Sequence, residues 1–473
     1  MVIFRPSHLR SAIALLPEFF QIQLRWHGAK SHYGSSETQT RSVRGCPGRG
    51  VVGRISAMKN VWHACLAFVV TGSILSAREA LPPPVQVEVK QGESIQAALD
   101  KLPESGGIVR IAPGNFVISE PLVVRTAETR IEGSGASTHI INKNEEEQPA
   151  IHIRPDAYAE DKKARLWRIQ ADNFRVSGNE KSGHGIFAQG IQEIFLHGVS
   201  IDHHGGHGIF LDFCFEDPRI ADCILTYNKE SGVHLVGNHD IVVDANHFEE
   251  NNDALTCLDG FNLTFNGNNI DDHLRHGVVI ENTYGSVVTG NMIEECAGTA
   301  IILDRDCYGI TLSSNVIAHD LGGGIDMRDA WGCAISANTF TIIHKFGVRV
   351  SKDSGRLTIT GNNFSNSYHG EGLMKRKEQH ENEWQIDSGE GVLLESTENN
   401  VINGNVFSGM DAHAVLATGT STGNSITDNI VTDYGRREAV ENPIAVPADG
   451  GNQVKDNLVS KPAKPVPAGP AKP

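Results

Sequence analysis

Through most of the chain, apolar and polar residues alternate in short bursts that close on an asparagine and a large apolar residue. The copies read IVVDANHF, LTFNGNNI, VVTGNMI, ITLSSNVI, AISANTF, LTITGNNF, VINGNVF and SITDNIV. Their asparagines are Asn246, Asn268, Asn291, Asn315, Asn338, Asn362, Asn405 and Asn429, spaced 22 to 24 residues apart except for one gap of 43. Asp222 reads as the same position one turn earlier. A second burst follows in each repeat, usually opened by glycine, as in GIFL at 208, GVVI at 277, GIDM at 324 and GVRV at 347. Runs this short, with a period of two, are strands rather than helices. None can bury its apolar face alone, so the copies must stack. The pattern therefore predicts an all-β, single-stranded, right-handed parallel β-helix of about eleven coils, with an asparagine ladder along one corner. A propeller is the competing architecture, but its blades need about 40 residues and four strands. Ile95, Ala98, Leu99 and Leu102 form the apolar side of a short helix suited to cap the open N-terminal end.

Numbering each second burst from its glycine, the first and third following positions point inward and the second and fourth outward. Ile325, Met327, Val348 and Val350 are then core, while Asp326 and Arg328 face solvent. Stacking puts Asp326 beside Arg349 and Arg328 beside Asp304. Glu281 meets Asp304, a like-charge contact unless a cation, a proton or Arg328 relieves it. Asp329, Lys352 and the neighbouring acids continue the cluster past the strand ends. Two chemistries suit it. Glu281, Asp304 and Asp326 would hold Ca²⁺ bridging to a uronate, with Arg328 or Arg349 assisting removal of the C5 proton. Alternatively, a carboxylic acid and a carboxylate would hydrolyse a glycosidic bond. The same alternation of acid and arginine also describes a plain solvated, salt-bridged sheet face.

The gap of 43 marks an insertion at 367–390 carrying Lys375, Arg376 and Trp384. A basic loop there would grip an acidic glycan, with Trp331 and Trp384 as stacking platforms. A second acidic stripe, Glu249/Glu250, Asp271/Asp272 and Glu294/Glu295, leads to His319 and Asp320 and reads as a solvated edge or a weak Ca²⁺ site. His207 and His276 are three coils apart, roughly 14 Å from the rung spacing, too far to share one metal.

Composition changes the picture at the ends. Residues 58–77, MKNVWHACLAFVVTGSILSA, run from a charged start through an apolar stretch to small residues, the order of a secretory signal peptide. Residues 1–57 carry 8 Lys/Arg against 2 Asp/Glu with no folding pattern and read as a mis-set upstream extension. Without them 33 basic and 55 acidic side chains remain, a balance that argues against nucleic acid as a partner. Beyond residue 77 no stretch of 18 apolar residues occurs, so no membrane span is expected. The β-helix is placed at 78–460 and a proline-rich, extended tail at 461–473. The six cysteines beyond residue 77 follow no regular spacing, and no disulfide or zinc site is read from them.

The segment GESIQAALDKLPESGGIVRIAPGNFVISEPLVVRTAETRIEGSG (92–135) resembles the N-terminal module of the pectin-lyase-like superfamily of parallel β-helix proteins. GIDMRDAWGCAISAN (324–338) is similar to the catalytic stretch of β-helix alginate C5-epimerases, which carry Asp-Pro-His-Asp after Gly-Ile. Asp326 and Asp329 match its two aspartates, whereas Met327 replaces the proline and Arg328 the histidine. The resemblance implies sugar chemistry on this scaffold without the epimerase histidine. The expectation is an exported, monomeric, carbohydrate-active protein, foremost a polysaccharide lyase on a uronate-type glycan. A glycoside hydrolase, a C5-epimerase or a non-catalytic glycan-binding envelope or adhesion protein on the same scaffold stand as alternatives.

Overall fold

Alternating residues make strands with one dry face, and here three such faces close around a single interior. In the computed structural model, residues 84–366, 389–460 and 462 are described. The upstream extension, the signal-like segment, the loop bearing Lys375, Arg376 and Trp384, and nearly all of the tail lie outside them. Apart from the end coils, each coil contributes one strand to each of three parallel sheets of 15, 14 and 13 strands, called here sheets 1, 2 and 3 in the order the chain visits them. Sheet 1 begins at Val85–Val89, sheet 2 at Gly114–Ile118 and sheet 3 at Leu122–Val124. The chain thus forms a parallel β-helix of about 15 turns rather than eleven. The extra coils are those before residue 185, such as Thr129–Glu132 and Leu166–Asp172, which wind without the asparagine and glycine signatures.

Register follows the expected columns: Ile302 pairs with Asp326, Asp326 with Arg349 and Arg349 with Leu393. Ile325, Met327, Val348 and Val350 are fully buried. Inside, Phe340, Phe364 and Phe407 stack face to face at 4.5 and 4.6 Å with nearly parallel rings. The strand-opening glycines make room for this stack. A Cβ on Gly324 would lie 2.3 Å from the Gly347 carbonyl oxygen and 3.0 Å from the Phe340 ring.

The asparagine ladder runs along the corner between sheets 1 and 2. The backbone N–H and Nδ2 of Asn315 both donate to Asn338 Oδ1 at 3.0 Å, and Nδ2 also donates to the Val288 carbonyl at 3.1 Å. The same set recurs from Asn246 to Asn429 and continues to Asn457. Backbone groups that the corner removes from sheet pairing are thereby satisfied in the dry interior. Asp222 is not part of this column. It takes the left-handed corner position (φ 53°), and Cys223 occupies the ladder place, its N–H donating to Asn246 Oδ1. The helix Ile95–Leu99 buries Ile95, Ala98 and Leu99, with Ser94 Oγ accepting from the Ala97 N–H at its start. All six cysteines beyond residue 77 are buried and free.

Candidate functional site: a charged ledge on sheet 3

Asp326 points outward from the strand Gly323–Met327, yet its carboxylate is almost completely covered. Arg349, one coil on, grips both oxygens, Nε to Oδ1 at 2.9 Å and Nη2 to Oδ2 at 2.6 Å. Arg328, two residues along the same strand, donates from Nε to Oδ2 at 2.8 Å. Two guanidiniums therefore converge on one carboxylate, and both remain about a third exposed. The bond to Asp326 raises the Arg349 pKa, so this side chain is held as a cation.

The other expected residues lie around this centre. Arg328 Nη1 stands 3.8 Å from Asp304 Oδ2. The like-charge contact of Glu281 with Asp304 is relieved chiefly by Arg305, whose Nη1 reaches Glu281 Oε2 at 2.8 Å. Arg305 was not singled out from the sequence because it sits at the turn after the strand, off the alternating columns. Asp329 Oδ2 accepts the Asp306 N–H at 2.9 Å and so ties two turns together. Trp331 is half-buried with the Arg356 guanidinium 5.5 Å from its ring centre, and Lys352 is exposed past the next strand. Glu281, Asp304 and Asp326 do not converge on one point; arginine stands against each acid. Two tyrosines missed in the sequence border the ledge. Tyr284 donates its hydroxyl to Asn282 Oδ1 and Asp306 Oδ2 at 3.1 and 3.2 Å, and Tyr308 is exposed. Alignment of residues three and four positions past each strand end would have revealed both.

The histidines ahead of the glycine strands form a ladder of their own. Nδ1 of His184 accepts the His207 N–H, Nδ1 of His207 the Ser231 N–H, and Nδ1 of His276 the Thr299 N–H, at 2.9 to 3.0 Å. Their rings therefore carry the proton on Nε2 when neutral. Burial lowers the pKa of His184 to about 4 and of His207 to about 2, with neighbouring histidines adding to the shift. At the corner between sheets 2 and 3, Glu249, Asp271 and Glu294 stack in register. Burial and neighbouring carboxylates raise the pKa of Asp271 and Glu295 there. Among the described residues, the groups able to meet one cation are Glu294/Glu295/His319 and Asp271/Asp272/Glu295. An open cleft of about 570 Å³ lies at the same corner in earlier coils, lined by Glu180, His203, Tyr227 and Lys229 among others, away from the ledge.

Residues 221–384 and 354–465, together more than half of the chain, match the family described as periplasmic copper-binding protein (NosD). The chain belongs to the NosD family. Residues 130–270 of this NosD-family chain also match the right handed beta helix region, which fixes the hand of the winding. No curated protein matches it significantly. Among solved structures it is similar to the A-module of a mannuronan C-5 epimerase from Azotobacter vinelandii. The identity is 15%, covering 79% of this chain and 95% of that one, with a TM-score of 0.42. It is also similar to DFA-IIIase from Arthrobacter chlorophenolicus A6, at 14% identity over 82% and 98% of the two chains and a TM-score of 0.49. At such identities no site residue is carried over to this chain.

The histidine ladder and the groups able to meet one cation do not fit the copper of the family description. In the histidine ladder, Nδ1 is already an acceptor. Coordination through Nε2 would therefore demand an imidazolate instead of the usual ligand that donates its other N–H. The six cysteines beyond residue 77 are buried, and none belongs to a group of side chains able to meet one cation among the described residues. What converges is carboxylate-rich with a single imidazole, a set suited to harder cations. Calorimetric titration with Cu²⁺ is expected to show only weak binding that His207→Gln leaves unchanged; tight binding removed by that variant would refute the ladder's assigned tautomer.

Proposed function

We propose that this NosD-family chain is an exported, carbohydrate-active β-helix protein that takes an acidic glycan across the ledge centred on Asp326. The observation that carries this reading is the pair of guanidiniums held side by side by one buried carboxylate. Asp326 fixes both in place and uses only part of their donor sets. Asp326 and the more distant Asp304 offset the two charges, and what remains toward solvent is the partly exposed guanidinium edges on a chain that is otherwise acidic. A uronate carboxylate matches such edges in charge and in bidentate geometry. Export is supported by the periplasmic description of the family and the signal-like order of residues 58–77.

The finer reading is β-elimination. A base takes the C5 proton of the uronate, the C4–O bond breaks, a C4–C5 double bond forms, and the departing sugar leaves as an alcohol after taking a proton from water. Arginines that neutralise the substrate carboxylate acidify that proton. Arg349 serves binding, since its raised pKa unsuits it as a base; Lys352, exposed past the end of the neighbouring strand, would accept the proton in its neutral amine form. Calcium at Glu281 and Asp304 would have to displace Arg305 and Arg328, so the arginines take that role here. A non-catalytic glycan-binding rod is the second reading, favoured by the complete satisfaction of Asp326.

The test is incubation of the exported form with a panel of polyuronates, with and without EDTA, following unsaturated sugar ends by absorbance. Product that persists in EDTA and is lost in Lys352→Ala is expected. Binding without product would establish the rod, and neither binding nor product would end the carbohydrate reading.

A further inference from the structure

One corner of the helix, where sheet 3 turns toward sheet 1, carries a ring in six consecutive coils. They are Phe215, His239, Phe261, Tyr284, Tyr308 and Trp331. Parallel bridges join His239 to Phe261, Phe261 to Tyr284 and Tyr284 to Tyr308, and Tyr308 pairs with Trp331. Phe215 falls in the same column, its ring 4.9 Å from that of His239. With coils ~4.8 Å apart the row extends roughly 24 Å along the axis. Arg165 lies over the ring at one end and Arg356 over the ring at the other, at 5.0 and 5.5 Å. Beyond Trp331 the column continues as Gly355, so the row stops there.

These rings are unlike the aromatic stack inside the helix. The interior phenylalanines lie flat on one another, 3° and 10° from parallel. In the outer row, neighbouring planes are inclined, 65° between Phe215 and His239 and 55° between His239 and Phe261. Edge-to-face packing of this kind is itself stabilising, but unlike the buried interior stack this row stays open to solvent: Tyr308 is 58% exposed and His239 is exposed as well. The ledge runs alongside. The strand residues Glu281, Asp304 and Arg328 lie three positions before Tyr284, four before Tyr308 and three before Trp331, respectively.

We infer that this row is the binding track for the glycan, with the polymer lying parallel to the helix axis, about one sugar per coil. The C–H face of each sugar packs on a ring, its hydroxyls meet polar groups such as Tyr284 and Asp306, and a carboxylate on one unit reaches Arg328 and Arg349. The rise per coil is close to the length of one sugar unit, so a straight chain stays in register over the six rings. A protein partner would seek a contiguous apolar patch, whereas these rings are interrupted by charged side chains such as Asp240, Asp259 and Asp306, toward which the glycan must turn its hydroxyls and not its carboxylates. The inference rests on the acidic-glycan reading and adds to it the track, its direction and its length.

The experiment is calorimetric titration with a series of oligouronates, from dimer to decamer, against wild type, Arg349→Ala and the double variant Phe261→Ala/Tyr308→Ala. Folding of each variant is verified by circular dichroism. For wild type, affinity is expected to rise with chain length and level off near a hexamer. The double variant should lose about tenfold or more on long chains and little on the dimer, while Arg349→Ala weakens every length. A double variant that follows the wild-type curve overturns the track and leaves the ledge standing. No binding of any length to wild type removes the glycan reading and the track with it. Loss of a wild-type dimer in the double variant, seen by light scattering, would make the row a self-association surface instead.

Discussion

Asp326→Ala is expected to destabilise the protein by about 3–5 kcal/mol, measured as a fall in urea midpoint at constant slope. Removing one member of a buried ion pair leaves its partner charged and poorly solvated. Here two partners are left, Arg328 and Arg349, which then repel each other across neighbouring strands. Arg349→Met should cost less, since Arg328 still bonds Asp326. Asp326→Asn separates shape from charge: it retains acceptors and volume but loses the anion, and its cost should fall between the other two. Equal, small losses for all three variants would mean the cluster is a solvent-screened surface network of little worth.

The second large effect is loss of stability in acid. Burial lowers the pKa of His184, His204 and His273 to about 4 and of His207 to about 2. The unfolded chain titrates these groups near 6.5. Between those values the unfolded state binds more protons, so the histidines contribute their full stability above pH 6.5 and lose it as pH falls toward 4. With 1.36 kcal/mol per pKa unit, each group accounts for on the order of 3 kcal/mol at pH 4. The physical event in His184 and His207 is protonation of Nδ1, which breaks the bond accepting the next coil's backbone N–H. Urea midpoints taken from pH 8 to pH 4 should fall steeply below 6.5. His207→Gln, whose amide oxygen accepts without titrating, should flatten part of that fall. A flat profile in wild type would show that these rings are not held neutral.

The fold was legible because its determinants are periodic. Asparagine every 22 to 24 residues and glycine opening each sheet 3 strand are forced by contacts in the structure: the ladder bonds of Asn315, and the close approach of Gly324 to Gly347 and Phe340. Coils before residue 185 satisfy the same corners by other means, which is why the turn count came out low. Asp222 was misplaced by one residue because a cysteine fills its ladder slot. At the site, the pairing of Asp326 with Arg349 and of Arg328 with Asp304 followed from register alone. Sequence could not show that both arginines bend onto Asp326, because side-chain direction at a strand end depends on what surrounds it. It also missed Arg305 and the ring row, which lie in turns where strand alternation no longer assigns faces. The repeat already set His207 and His276 three coils apart; it could not show that the Nδ1 atoms of His184, His207 and His276 each accept a backbone N–H of the next coil.

The most direct test of the central claim is the affinity of wild type and of Arg349→Met for a polyuronate, compared with a neutral polysaccharide of similar length. Saturable binding of the polyuronate alone is expected, weakened about tenfold or more by the variant, since a charge-assisted bidentate contact contributes roughly that much. Equal binding of both polymers, or a variant that binds the polyuronate as wild type does, would contradict it.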